Sequence, residues 1–141
     1  MMILAAFAVA FAILKGGIPE RCVSISIVVW ILLDVVYHYF TAAANYGHIV
    51  VAHVIFDTLL LLALFATALC ANRVWPCWAA ASSLIAMLGH LAMAVGLSGM
   101  QRAYWAITQV PFFIQLLALV VGTAFHIRRR RIKGPYPDWR S

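Results

Sequence analysis

A chain of 141 residues with 66% hydrophobic and only 10% charged side chains does not suit a water-soluble domain, in which about a quarter of residues are charged and roughly a third of the unfolded surface stays in water. Lipid is the solvent that fits. The net charge is +6, yet five of the ten basic residues fall between Arg128 and Lys133, directly after an apolar run, which marks a membrane flank and argues against nucleic acid as a partner.

The chain opens on an apolar run, Met1–Leu14, about 21 Å long as a helix. It has no basic leader and no clear small-residue cleavage site, so it reads as a short first helix and not as a signal peptide. Lys15-Gly16-Gly17 and Pro19 break it from Ile18–Ala42. Asn45-Tyr46-Gly47 turns the chain into Ile49–Ala71, and Asn72-Arg73 turns it again into Trp75–Leu97. Gly96, Ser98 and Gly99 end that run, and Ala103–Phe125 is the last. Each of the four long segments covers the roughly 30 Å of a hydrocarbon core. Short connections make sequence neighbours antiparallel. The predicted fold is therefore an all-α integral membrane protein. It is an antiparallel up-down bundle of four long transmembrane helices plus a short N-terminal apolar helix, five spans in all. Residues 1–127 form the bundle and 128–141 a basic tail.

The positive-inside rule orients it. With the basic run of Arg128, Arg129, Arg130, Arg131 and Lys133 in the cytoplasm, the Asn72-Arg73 turn and Lys15 to Arg21 lie there too. Only Arg102 then falls outside. The expected location is a bacterial inner membrane, C-terminus cytoplasmic and N-terminus periplasmic. The five basic residues bind anionic lipid at the inner surface.

That orientation gathers the ionisable residues into one layer near the outer face. Asp34 and His38 are four residues apart on the second helix, so they share a face, and so do His53 and Asp57 on the third. His90 adds a group from the fourth. Asp34 is expected level with Asp57, and His38 level with His53. One charged residue inside a span costs at least ~2.5 kcal/mol, so such a layer needs a compensating partner. Carboxylate oxygen and imidazole nitrogen suit Zn, Fe, Mn or Cu, and Asp34, His38, His53, Asp57 and His90 are the candidate ligands. Trp30, Tyr37, Thr108, Gln109 and Gln115 would surround them, with Pro111 kinking the last helix nearby. No catalytic residue is assigned.

The D-x3-H pair followed by a histidine on the next helix resembles the copper-binding pattern in a membrane subunit of particulate methane and ammonia monooxygenases. The resemblance covers Asp34 to His53 only; the gap here is slightly longer and Asp57 is an addition. It implies that this arrangement can hold a metal within a membrane.

Two functions compete. One is a metal-dependent membrane protein acting on a lipid or small apolar substrate. The other is a non-catalytic accessory subunit of a respiratory or photosynthetic complex, its Asp–His pairs structural or its histidines ligating haem or chlorin. Small residues on the fourth helix (Ala79, Ser83, Ala86, Gly89, Ala92, Gly96) permit close helix contact within one chain or in a homo-oligomer. His48 reads as an interfacial histidine and His126 as a flank residue. Cys22, Cys70 and Cys77 map to the reducing side, where disulfides are not expected. Trp75, Trp78, Tyr104 and Trp105 fit interfacial belts. The Pro-Tyr-Pro-Asp-Trp segment is too aromatic for a solvated tail and is expected to dock on the inner loops or on a partner subunit.

Overall fold

A computed structural model describes residues 2–41, 51–95 and 101–140, apart from the side chains of 101–104. The Asn45-Tyr46-Gly47 turn, His48, the Gly96–Gly99 break and the side chains of Arg102 and Tyr104 lie outside the described residues. Five helices follow in order: α1 (Met2–Lys15), α2 (Ile18–Thr41), α3 (Val51–Cys70), α4 (Trp75–Ala94) and α5 (Gln101–Lys133). Four of them, α2 to α5, are long and apolar enough to cross a membrane. Among the described residues there is no strand, only one antiparallel bridge between Ala71 and Trp139.

Each helix packs on its sequence neighbours, and α1 also packs on α5, so the five close into a ring. The α1–α2 and α3–α4 connections and the segment that follows α5 meet at one end of the bundle, through contacts of Ile18, Arg73 and Asp138. This is the basic end. Small residues make the ring tight. Ala5, Ala8, Val9 and Ala12 recur at helical spacing along α1 and are all buried. Ala79, Ser83, Ala86 and Gly89 do the same on α4. The α4–α5 pairing is the most extensive: a Cβ on Gly89 would lie 2.7 Å from Ile107 Cγ2. The small-residue stripe is therefore used within the chain. The core centres on Val23, Ile27, Leu64, Phe112 and Leu119, and large apolar side chains such as Ile3, Leu62, Leu88 and Leu117 point outward.

The last helix is longer than its apolar run. It continues through all four arginines to Lys133, about 50 Å at the helical rise. Arginine and lysine are good helix formers, so charge ends the membrane-compatible stretch without ending the helix. Gly134, at φ 75°, stops it in the left-handed conformation common after a helix C-terminus. Residues 128–133 are thus helix, and only the segment from Gly134 onward is a tail.

Candidate metal centre

At the end of the bundle opposite Arg128–Arg131, α2 and α3 bring Asp34, His38 and His53 together. One ligand atom from each lies within 4.8 Å of the other two. His53 Nε2 is 3.2 Å from Asp34 Oδ1, and His38 Nδ1 is 3.5 Å from the same oxygen. The two imidazoles stack with ring centroids 5.1 Å apart. His38 Nδ1 is also 2.8 Å from the Asp34 carbonyl oxygen. A carbonyl only accepts, so Nδ1 is the donor in this contact. His53 Nε2 is buried and makes no hydrogen bond: it lies close to the carboxylate but out of line for donation. An imidazole nitrogen and a carboxylate oxygen that converge without bonding suit a shared cation. Tyr37 covers the pair, its ring 5.2 Å from that of His53 and edge-on to that of His38.

The other two candidate ligands form a second group. Asp57 Oδ1 accepts a 2.6 Å hydrogen bond from Trp30 Nε1, and Asp57 Oδ2 lies 2.8 Å from His90 Nε2. The expected pairing of His38 with His53 is present. Asp34, however, turns to the two histidines, while Asp57 turns toward α4 and toward Trp30, one helical turn before Asp34. The five residues share a layer but divide into three and two. Trp30 also stacks on Phe112 of α5 at 5.3 Å. Beside Asp57 lies a gap of about 10 Å³ bounded by Thr108, Pro111, Ser83 and Gln115, the size that takes one water molecule. Gln115 donates to Ser83 Oγ at 2.9 Å, and its own Oε1 is buried without a partner. Gln109 is half-buried on the same helix.

A third polar group, at the basic end, is absent from the sequence reading. Glu20 is fully buried and Arg73 is 8% exposed. Arg73 Nη1 donates to Glu20 and Nη2 to Asp138. The remaining Glu20 contacts are a 3.0 Å bond from Trp75 Nε1 and another from Gly17 N. The Gly17 bond is half of a capping box, with the third helical residue reaching back to the cap. Asp138 Oδ2 caps the next amide, that of Ile18, at 3.0 Å. Both acids therefore sit at the positive end of the α2 dipole. The aromatic tail docks on this group, as expected of it. Asn72 N donates to Asp138 O, and Arg140 N to Cys70 O. His126 Nδ1 is 2.6 Å from the Tyr136 hydroxyl, and Arg129 lies over the Tyr136 ring. The available signal was Gly-Gly-Ile-Pro-Glu, a helix start carrying one of only four acidic residues. Its partners lie far off, Arg73 53 positions from Glu20 and Asp138 120 positions from Ile18, beyond any local pattern. The three cysteines are free thiols, Cys70 and Cys77 exposed and Cys22 half-buried.

Compared with protein-family models, characterised proteins and solved structures, the chain finds no match.

Proposed function

We propose that this chain is a multi-pass membrane protein holding one transition-metal ion between Asp34, His38 and His53. The basic end lies in the cytoplasm of a bacterial-type inner membrane, and the metal sits near the opposite face. The observation that carries the reading is the buried His53 Nε2, facing Asp34 Oδ1 with no hydrogen bond. Donors of one oxygen and two nitrogens suit Zn, Fe, Mn or Cu. Three protein ligands leave a coordination position open, the pattern of reactive rather than purely structural sites.

A bound ion there would supply Lewis acidity or activate water or dioxygen. The chain's own residues do the rest. Tyr37 packs over the imidazoles and limits access of water. Trp30 and His90 fix the Asp57 carboxylate one turn deeper. Tyr39 and Phe40, exposed on the last turn of α2, suit approach by a lipid or a small apolar molecule.

Elemental analysis of the detergent-purified protein tests this. One equivalent of metal is expected in the wild type, lost in His53→Ala and in Asp34→Asn and kept in Asp57→Asn. A metal-free wild type after loading, or full retention in His53→Ala, ends the reading. A visible spectrum of the same sample separates a metal ion from haem or chlorin.

A further inference from the structure

A cleft of about 740 Å³ lies at the other end of the molecule from the Asp/His layer. Its two halves differ in chemistry. Along the membrane-compatible part of α5 and the first turn of α4 the walls are apolar: Trp75, Trp78, Ile114, Leu117, Val121 and Phe125. At the basic end the cleft closes on Arg73, Arg129, Arg140, Asn72 and Tyr136. From Ile114 to Arg129 it follows α5 for about 22 Å, which matches one leaflet's share of a bilayer core, roughly 15 Å, plus a headgroup layer.

Charge selects the occupant. Among the described residues, three arginines line the head of the cleft and no carboxylate side chain does. Glu20 and Asp138, the nearby acids, are turned to Arg73. Together they exceed the single Arg73 charge by one, so with Arg129 and Arg140 the head of the cleft keeps a net positive charge, carried by those two arginines. Arg73 lines the cleft although it is more than nine-tenths buried. The floor is shaped for the same purpose. Gly122 has no side chain, and a Cβ there would run into the Trp75 ring. The indole thus lies flat against α5 and leaves the space beside Ala118 and Val121 open.

We infer that this cleft binds one molecule of an anionic phospholipid, its phosphate held by Arg129 and Arg140 and one acyl chain laid along Trp78, Leu117 and Phe125. This differs from diffuse attraction of a basic segment to a charged surface, because it fixes stoichiometry and demands both a phosphate and a hydrocarbon chain. It is independent of the metal centre, and either reading can fail without the other.

Native mass spectrometry of the full chain released from detergent tests it, with phosphatidylglycerol, phosphatidylcholine and soluble glycerol phosphate as probes. The expected result is one phosphatidylglycerol retained per chain, with phosphatidylcholine held at least about tenfold more weakly and glycerol phosphate neither retained nor competing. The double variant Arg129→Gln, Arg140→Gln should weaken phosphatidylglycerol about thirtyfold, the combined effect of two basic residues at a headgroup. Ala118→Trp, which fills the apolar half and leaves every arginine in place, should abolish retention with the metal content unchanged. Equal retention of the two lipids, several equivalents of lipid with no saturation at one, unchanged binding in the double variant or in Ala118→Trp, or competition by glycerol phosphate would each overturn the assignment.

Discussion

The most consequential single side chain is Arg73. It is the only described cation that reaches two carboxylates at once, and one of them, Glu20, has no exposure to solvent. Removing one partner of a buried ion pair costs about 3–5 kcal/mol, whereas replacing the pair by well-packed apolar groups is often neutral. Arg73→Ala should therefore destabilise the protein by about 3–5 kcal/mol, read as a lower unfolding midpoint in detergent. Arg73→Met combined with Glu20→Gln should recover most of that loss. A midpoint unchanged in Arg73→Ala would show the charges to be solvated instead. Sequence reasoning could read residues of this kind only where partners share a helix. Asp34 and His38, four residues apart, were visible as a pair, and His53 followed from the hairpin. The division of Asp34 from Asp57 was not visible, because it rests on which way two short side chains turn, and spacing along a helix does not fix that. Glu20, Arg73 and Asp138 had no shared period at all.

Among the elements, α4 and α5 share the most extensive contact, and Gly89 is one of the positions that let them close. A side chain at that position meets Ile107 Cγ2 at 2.7 Å and Thr108 Cγ2 at 3.3 Å, and overpacking of a closed interface costs roughly 1–3 kcal/mol. Gly89→Val should lower thermal stability by that amount and, because His90 is the next residue, disturb the Asp57–His90 contact. A Gly89→Ala variant as stable as wild type would show that α5 shifts freely. The C-terminal segment is an element in its own right, although it has no helix or sheet. Removing residues 134–141 takes away Asp138 and Tyr136, and with them the cap on Ile18 N and the partner of His126. The truncated chain should unfold at a lower temperature and expose Arg73 to modification by an arginine reagent. An unchanged midpoint would mean that the segment rests on the surface without holding it. The helices themselves were legible from apolar length and from Gly, Pro and Asn breakers. The end of α5 was not, since a run of arginines signals the edge of a membrane, and the helix obeys hydrogen bonding until Gly134.

For the whole molecule the question is orientation. Of the basic residues whose surroundings are described, all lie at one end, with Lys15, Arg21 and Arg73 at the α1–α2 and α3–α4 connections and the rest on α5 and the tail. The proposed placement of that end in the cytoplasm follows from the charge asymmetry. In a variant lacking the three native cysteines, Lys133→Cys should react with a membrane-impermeant maleimide only after the cells are permeabilised. Thr41→Cys, exposed at the far end, should react without permeabilisation. The reverse pattern would invert the topology and put the Asp/His layer on the cytoplasmic side.

Gly17 shows how unevenly this chain would bear change. Where its Cβ would stand, Asp138 Oδ1 is 2.7 Å away and Arg73 Nη2 2.8 Å away. The smallest possible addition would push apart the two charges that close the basic end. By contrast, positions such as Leu62 and Leu88 face outward and can trade one aliphatic for another with no neighbour to offend. A survey of all single replacements would therefore not grade smoothly from core to surface. Intolerance would gather around Gly17, Glu20, Arg73 and Asp138, far from the Asp/His layer, and a map of that kind would point first to the clasp that keeps the bundle shut and only second to the site where chemistry is proposed.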